Sequence, residues 1–340
     1  MNFAVLLDKN YISRLDALIC SLDHLSLKYK IFVVALDEFV YSNYKNKRNC
    51  ISISIYEIHT YYPELNSIKL SRDNVSYIFT LSPFYPSYIL EKYQELDHIC
   101  TLDVDQYFFS SPQLIFDLLA DFSVLITPHR FSQKLINLNF ERFGRFNVSF
   151  QVFKRDSIGI ACLKLWREQC LNWCFDREEY GWYADQKYLD TWQNEFGYKI
   201  HEIDHKGLGL APWNIEDVTI QKIKHQIFID NDLLVLYHYQ GLKILSEGYI
   251  YSFLDNYTFK NINVINRLIY KPVIKSILRF TTSVDTFSRN NRNFDYDFMV
   301  EKSDFVFKIK YGIIFQFSNY LKLQSIKNGL LVKFANVFRR

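Results

Sequence analysis

The chain has 340 residues, of which 49% are hydrophobic and 23% charged, so it can bury a sizeable core and is neither a disordered nor a low-complexity protein. The net charge of +3 hides an asymmetry: residues 251–340 hold 15 basic and 6 acidic residues, a net +9, whereas residues 1–250 hold 25 and 31, a net −6. No stretch of 18 uncharged apolar residues occurs, so no membrane-spanning helix is expected; the longest candidate, FVFKIKYGIIFQF, is broken by Lys308 and Lys310.

In chain order, the first apolar run, Phe3–Leu7, reads as a strand that stops at Asp8, and 15–27 recurs at helical spacing. MNFAVLLDKN has no basic region before its apolar run and is not expected to be a signal peptide. Ile31–Leu36 is a continuous apolar run ending at Asp37, and Ile51–Ile55 is a third. A helix is predicted over Tyr85–Tyr93, started by Pro86, followed by the strand HICTL at His98–Leu102, which ends at Asp103. Pro112–Leu119 reads as a short helix with Pro in its first turn, and Phe122–Thr127 as another buried strand. Asn147–Phe153 alternates in polarity, and a long helix capped by Asp156 is predicted to reach Phe175. Ser-, Asn- and Arg-rich Thr281–Asp297 is the candidate boundary segment. The six cysteines form no C-x-x-C pair and are expected to be reduced thiols of a cytoplasmic protein.

Short apolar runs separated by helical patterns predict β-α-β units and a mixed, mostly parallel sheet flanked by helices. Asp8, Asp37 and Asp103 each stand where a strand ends. Open α/β sheets bind ligands along that edge, although a helix cap or turn is the plainer role for any single Asp. Asp103-Val104-Asp105 is the central feature, since two carboxylates at i and i+2 of an extended chain share a side and suit a hard divalent cation. Such a cation stabilises the charge on a departing diphosphate. His238, in LVLYHYQGLK, is followed by Gly241 and Lys243, a flexible backbone and an ammonium suited to a diphosphate. An imidazole as third ligand favours Mn²⁺ over Mg²⁺. ICTLDVD also resembles the haloacid-dehalogenase-type phosphatases in outline, with Asp103 as nucleophile and Asp105 as acid/base. Those enzymes usually have Thr or Val where Tyr107 stands, and their motif lies near the domain start.

Taken together, FAVLLDKNY, LDVDQYFFSSP, GRFNVSFQVFKRD, YADQKYLD, HKGLGLAPWN and HYQGLK, in this order, resemble the retaining glycosyltransferases of family 8 and related bacterial nucleotide-diphospho-sugar transferases, over roughly residues 3–243. The resemblance implies a GT-A fold and a catalytic domain of residues 1–250, followed by a basic aromatic extension over 251–340. It implies that Asp8, Asn10 and Tyr11 contact the base and ribose, that Asp103, Asp105 and His238 hold Mn²⁺ (or Mg²⁺), and that Asn147 contacts the donor sugar. Asp185 and Gln186 would stand beside the reacting carbon, and Gly241 and Lys243 at the diphosphate. The implied donor is a UDP-hexose, and the implied acceptor a surface glycan of lipopolysaccharide or capsule type, lipid-linked in many such pathways, with configuration retained. Three departures stand out: Ser149-Phe150 replace a family Gly, Lys243 arrives one residue early, and TLSPFYPSYIL lacks the family's basic residue.

Other residues carry two readings. Trp182, Trp192 and Trp213 either stack on a sugar or pack, Asp185 either serves the reaction or caps a helix, and His129-Arg130 either contact a ligand or lie in a solvated loop. A non-catalytic sugar-nucleotide binder or scaffold of a glycan-assembly complex is the alternative to an enzyme. The basic tail, with apolar residues at helical spacing in YKPVIKSILRF and GLLVKFANVFRR, is expected to rest on anionic lipid at the inner face of the cell membrane, or else to pack on the catalytic domain. No nucleic-acid module accompanies it.

Overall fold

The computed structural model describes residues 1–244, 249–257, 262–280, 306–310 and 313–316. Its centre is a seven-stranded sheet built from β1 (Asn2–Leu7), β2 (Lys30–Ala35), β3 (Cys50–Ser54), β4 (His98–Leu102), β6 (Val124–Pro128), β7 (Phe146–Lys154) and β8 (Ile200–Glu202), in the order β8-β6-β7-β4-β1-β2-β3. Only β7 runs antiparallel to its neighbours. This is the mixed, mostly parallel sheet flanked by helices that the alternation of apolar runs predicts.

The strands are apolar on both faces because helices cover both. Successive side chains alternate between two cores. Ala4, Val34, Ile99 and Phe153 face one, with the helices Phe84–Lys92 and Ser157–Asn172; Phe3, Val33, Cys100 and Val152 face the other, with the helix Ile12–His24. Asp156 caps its helix as expected, accepting from the backbone N–H groups of Ile158 and Gly159. The apolar run ending at Ile55 overshoots its strand by one residue, because Ser54 and Glu57 form a capping box and start a helix over Ile55–Tyr61. That helix and two more, Leu65–Ser71 and Asn74–Leu81, span only seven or eight residues each, too short to show a clear period.

β7 departs from the half-exposed strand that its alternation suggests. Its polar residues Asn147, Ser149 and Gln151 are all buried, at 3%, 2% and 0% exposure, and they lie toward the carboxyl edge of the neighbouring parallel strands. A second, short layer joins β5 (Gln106–Phe108) to β9 (Leu236–His238) in antiparallel register, with His238 opposite Gln106.

Residue 250 lies within a strand, Tyr249–Tyr251, of a four-stranded antiparallel sheet that also holds Lys243–Ile244, Val306–Lys310 and Ile313–Gln316. FVFKIKYGIIFQF therefore supplies two strands. The apolar face of YKPVIKSILRF is taken up within the protein: Lys271–Phe280 is a helix packed on Ile12–His24, burying Val273, Ile274 and Ile277. GLLVKFANVFRR and the boundary segment Thr281–Asp297 lie outside the described residues. Among the described residues no helix is long and apolar enough to cross a membrane. All six cysteines are free thiols.

Candidate functional site

Asp103, Asp105 and His238 converge. One ligand atom from each lies within 4.8 Å of the others, making this the one such His/Cys/Asp/Glu group among the described residues. His238 Nε2 stands 3.1 Å from Asp105 Oδ1 and 3.6 Å from Asp103 Oδ2. The route to this convergence differs from the expected one. β4 ends at Leu102, and Val104-Asp105 form a turn that leads into β5, so a reversal of the chain, rather than alternation along a strand, brings the carboxylates together. The Asp103 N–H donates to Ser149 O at 3.1 Å, and the Tyr239 N–H donates to Asp105 O at 2.8 Å. Backbone from β7 and from the end of β9 thus holds the turn on both sides.

Burial alone would lower the His238 pKa, but the charges of Asp105 and Asp103 outweigh it and raise it. Burial likewise pushes Asp105 up, yet His238, and to a smaller degree Arg14, bring its carboxyl below the usual range. Asp103 is pushed up to about 6 by burial, with His238 opposing and Asp105 adding. Because 46% of its side chain is open, water relieves part of that push. Two carboxylates and an imidazole with its Nε2 turned toward them form a donor set that fits Mn²⁺ or Mg²⁺, the imidazole favouring the former.

Of the three strand-end acids, two have turn roles. Asp37 accepts from the N–H groups of Val40 and Lys9, and Asp8 accepts from the Asn10 N–H and its carboxamide. Tyr11, 43% exposed, offers a ring face over which the Arg14 guanidinium lies at 4.7 Å. Arg14 was not singled out in the sequence, where it reads as one polar position of an amphipathic helix. It donates to Asn10 O and Leu242 O, each at 3.1 Å, joining the DKNY turn to the HYQGLK loop. In that loop Gly241 has φ +82°, and a Cβ there would meet the Phe253 ring at 2.3 Å. The Lys243 ammonium lies over the same ring, 5.9 Å from its centre.

Asn147 and Asp185 are both buried, and each carries a polar atom without a hydrogen-bond partner, Nδ2 and Oδ2. Ser149 donates its N–H to Asn147 Oδ1 at 3.1 Å and its hydroxyl to the same oxygen. Asp185 caps no helix; the 3-10 turn Lys187–Thr191 starts from Gln186, and Gln186 Nε2 donates to Phe143 O at 2.7 Å. Burial pushes the Asp185 carboxyl up to about 7, opposed by Ser82 and reinforced by the charge of Asp103. Tyr85, from the segment lacking the family's basic residue, is buried, and its hydroxyl pKa is raised by burial and by the charges of Asp103 and Asp185. Its place in the site shows no sequence signal beyond an aromatic in a largely buried helix.

The tryptophans with two readings differ in their surroundings. Trp192 is fully buried against Trp166 and Phe153. Trp213 is 6% exposed, donates to His129 O at 2.9 Å and sets its ring edge against His238 at 5.2 Å. Trp182, 38% exposed, lies 4.8 Å from the Tyr188 ring. The loop reading of His129-Arg130 is corrected. His129 is buried and bonded to Gly144 O, and Arg130 donates to the backbone oxygens of His205 and Leu208. Both are drawn in by HKGLGLAPWN, which braces β9: Gly207 O accepts from Val235 and Leu236, and Leu210 O accepts from His238.

The fold and site define an α/β protein with a carboxylate–imidazole, metal-capable centre at the carboxyl edge of a mostly parallel sheet. No family model matches the chain. It is similar to two Bacillus subtilis (strain 168) proteins described as uncharacterized: YfnD, 25% identical over 297 residues (84% of this chain, 91% of the relative), and YfnF, 28% identical over 293 residues (83% and 94%). Among solved structures it is similar to mouse xyloside xylosyltransferase 1 in its apo form, at TM-score 0.44 and 10% identity over 71% of this chain and 98% of that one. Galactosyltransferase LgtC, in complex with donor and acceptor sugar analogs, also stands at TM-score 0.44, with 14% identity over 71% and 87%.

Proposed function

We propose that this chain is a metal-dependent GT-A glycosyltransferase that moves a hexose from a nucleotide-diphosphate donor, a UDP-sugar, to a glycan acceptor of the lipopolysaccharide or capsule type. The observation that carries the reading is the convergence of Asp103, Asp105 and His238 at a strand's carboxyl end, beside two buried groups, Asn147 and Asp185, with unpartnered polar atoms.

Asp103, Asp105 and His238 are the residues that would hold Mn²⁺ (or Mg²⁺). The ion, when bound, supplies Lewis-acid stabilisation of the charge that builds on the leaving diphosphate. The chain's own groups do the rest. Tyr11 presents a ring face for the base, with Asp8 and Asn10 at the ribose. Gly241, which keeps its backbone close, and Lys243 serve the diphosphate. Asn147, Asp185 and Gln186 orient the sugar. As the bond from the anomeric carbon to the diphosphate oxygen breaks, the acceptor hydroxyl attacks on the face the diphosphate leaves and passes its proton to the departing diphosphate oxygen. Retention of configuration in this scheme comes from the family resemblance.

The test is a donor-hydrolysis panel: purified protein, Mn²⁺ and several nucleotide-sugars, with free nucleotide diphosphate as the readout. Release from one donor, abolished by chelation, is the expected result. No release from any donor with or without acceptor glycans overturns the enzyme reading, and sugar-nucleotide binding without turnover would favour the scaffold alternative.

A further inference from the structure

His238 stands on a strand too short to hold itself. β9 has three residues, pairs with a three-residue partner, and is tied to the HKGLGLAPWN segment by two backbone hydrogen bonds, Leu236 N–H to Gly207 O and His238 N–H to Leu210 O. Strands this short depend on side-chain packing for their position. Because side chains alternate along an extended chain, Tyr237 and Tyr239 point away from the face that His238 presents to the carboxylates. Both are fully buried, and both meet Tyr270. The three rings lie 4.6 Å (Tyr237–Tyr239), 5.1 Å (Tyr239–Tyr270) and 5.7 Å (Tyr237–Tyr270) apart, all edge to face. The Tyr239 hydroxyl donates to Ile269 O at 2.8 Å, the Tyr237 and Tyr270 hydroxyls lie 3.3 Å apart, and the Tyr270 hydroxyl reaches Ser252 O at 3.5 Å.

Ile269 and Tyr270 end a π turn, Asn266–Tyr270, between the helical residues Ile262–Ile265 and the helix Lys271–Phe280. Single π turns inside helices are uncommon and concentrate at functional positions. The same helix reaches beneath Asp105, where Val273 and Ile277 close a small cavity lined by Arg14, Asp105, Gln106 and Tyr239.

We infer that Tyr270 and the helical segment 262–280 are a positioning device for His238, holding the imidazole toward Asp103 and Asp105 through the three-tyrosine cluster. The inference rests on the metal reading of the site and deepens it: residues past 250 belong to the machinery that shapes the metal centre.

The experiment titrates full-length protein with Mn²⁺ alone, measuring free Mn²⁺ by electron paramagnetic resonance, with the folded fraction fixed by near-ultraviolet circular dichroism. Changes behind a metal ligand typically weaken affinity by about 10–100-fold, and Tyr270 acts one layer further out, so Tyr270→Leu is expected to weaken Kd about tenfold. Tyr270→Phe, which keeps the ring but loses the hydroxyl contacts to Tyr237 and Ser252 O, should recover part of that loss. Tyr77→Phe, a buried tyrosine bonded to His59 in the other core, should lower the melting temperature while leaving Kd unchanged. A folded Tyr270→Leu with wild-type Kd overturns the inference. If Tyr270→Leu does not fold, the double hydroxyl deletion Tyr239→Phe/Tyr270→Phe decides: a Kd weakened about threefold or more supports the device, and an unchanged Kd overturns it. Wild-type protein that binds no Mn²⁺ defeats the metal reading itself, a different result from wild-type and Tyr270→Leu binding equally well.

Discussion

His238 Nε2 and Asp105 Oδ1 lie 3.1 Å apart, a side-chain link between the HYQGLK strand and the LDVD turn. If that link is one edge of a metal centre, Asp105→Ala removes a ligand and leaves the diphosphate charge uncompensated, an effect worth several kcal/mol and thus about a thousandfold or more in rate. Chelation should match it, with Mn²⁺ restoring activity best. Full donor turnover in EDTA by the purified protein would falsify this assignment.

The same pair predicts a pH dependence. His238 must be neutral to bind a cation, and its pKa is raised above the ordinary 6.5 by Asp105 and Asp103. Mn²⁺ affinity should therefore climb with pH up to that raised value, by at most about tenfold per pH unit from this group, and level off above it. Without metal the sign for stability is opposite. The raised His238 stabilises the fold at low pH and loses that contribution as pH rises through its folded pKa, whereas the lowered Asp105 contributes above about pH 4 and loses its part on acidification. The pair is thus most stabilising between about pH 4 and 6.5. His238→Ala should remove Mn²⁺ binding and flatten this part of the metal-free melting curve. Retained wild-type Mn²⁺ affinity per folded molecule, with only a lowered melting temperature, would mark His238 as a packing residue.

Asp185 tests the buried floor of the site. Its carboxyl is pushed up to about 7 by burial, against about 3.9 in an unfolded chain. Between those values the unfolded chain has released the proton and the folded chain keeps it, so this group makes stability fall as pH rises. Asp185→Asn should flatten that slope and raise the melting temperature at pH 7.5 relative to wild type, while cutting turnover. An unchanged slope between pH 4 and 7 would place Asp185 in water, and unimpaired turnover would remove it from the reaction.

Gly207 tests the brace behind β9. A Cβ there would lie 1.9 Å from Leu233 O, a backbone atom that cannot swing aside. Gly207→Ala should cost about 2 kcal/mol or more and shift the strand that carries His238. In a chain of 340 residues that is a drop of about 3 °C or more in Tm, together with weaker Mn²⁺ binding. A melting temperature within 1 °C of wild type, on the scale of about 0.5 kcal/mol, would show that the segment yields.

Much of the site was legible because its parts are local. The strand HICTL and its following acids, the cap at Asp156 and the spacing in HYQGLK are all set by residues close in sequence, whose periodicity and turn chemistry need no distant partner. What the residue pattern could not convey depends on what lies across the sheet. Asn147, Ser149 and Gln151 read as the wet side of a strand, yet β7 is buried between β4 and β6, and all three are buried. Asp8 and Asp103 look alike at the ends of apolar runs; the first closes a local turn on Asn10, and only tertiary structure gives the second His238 to face. The tail shows the division most plainly. Its composition established a basic segment with apolar residues at helical spacing, and a hydrophobic face has the same pattern whether it meets lipid or protein. For the helix Lys271–Phe280 the tertiary structure supplies a protein surface: Val273, Ile274 and Ile277 bury against Ile12–His24, and Tyr237 and Tyr239 pack on Tyr270.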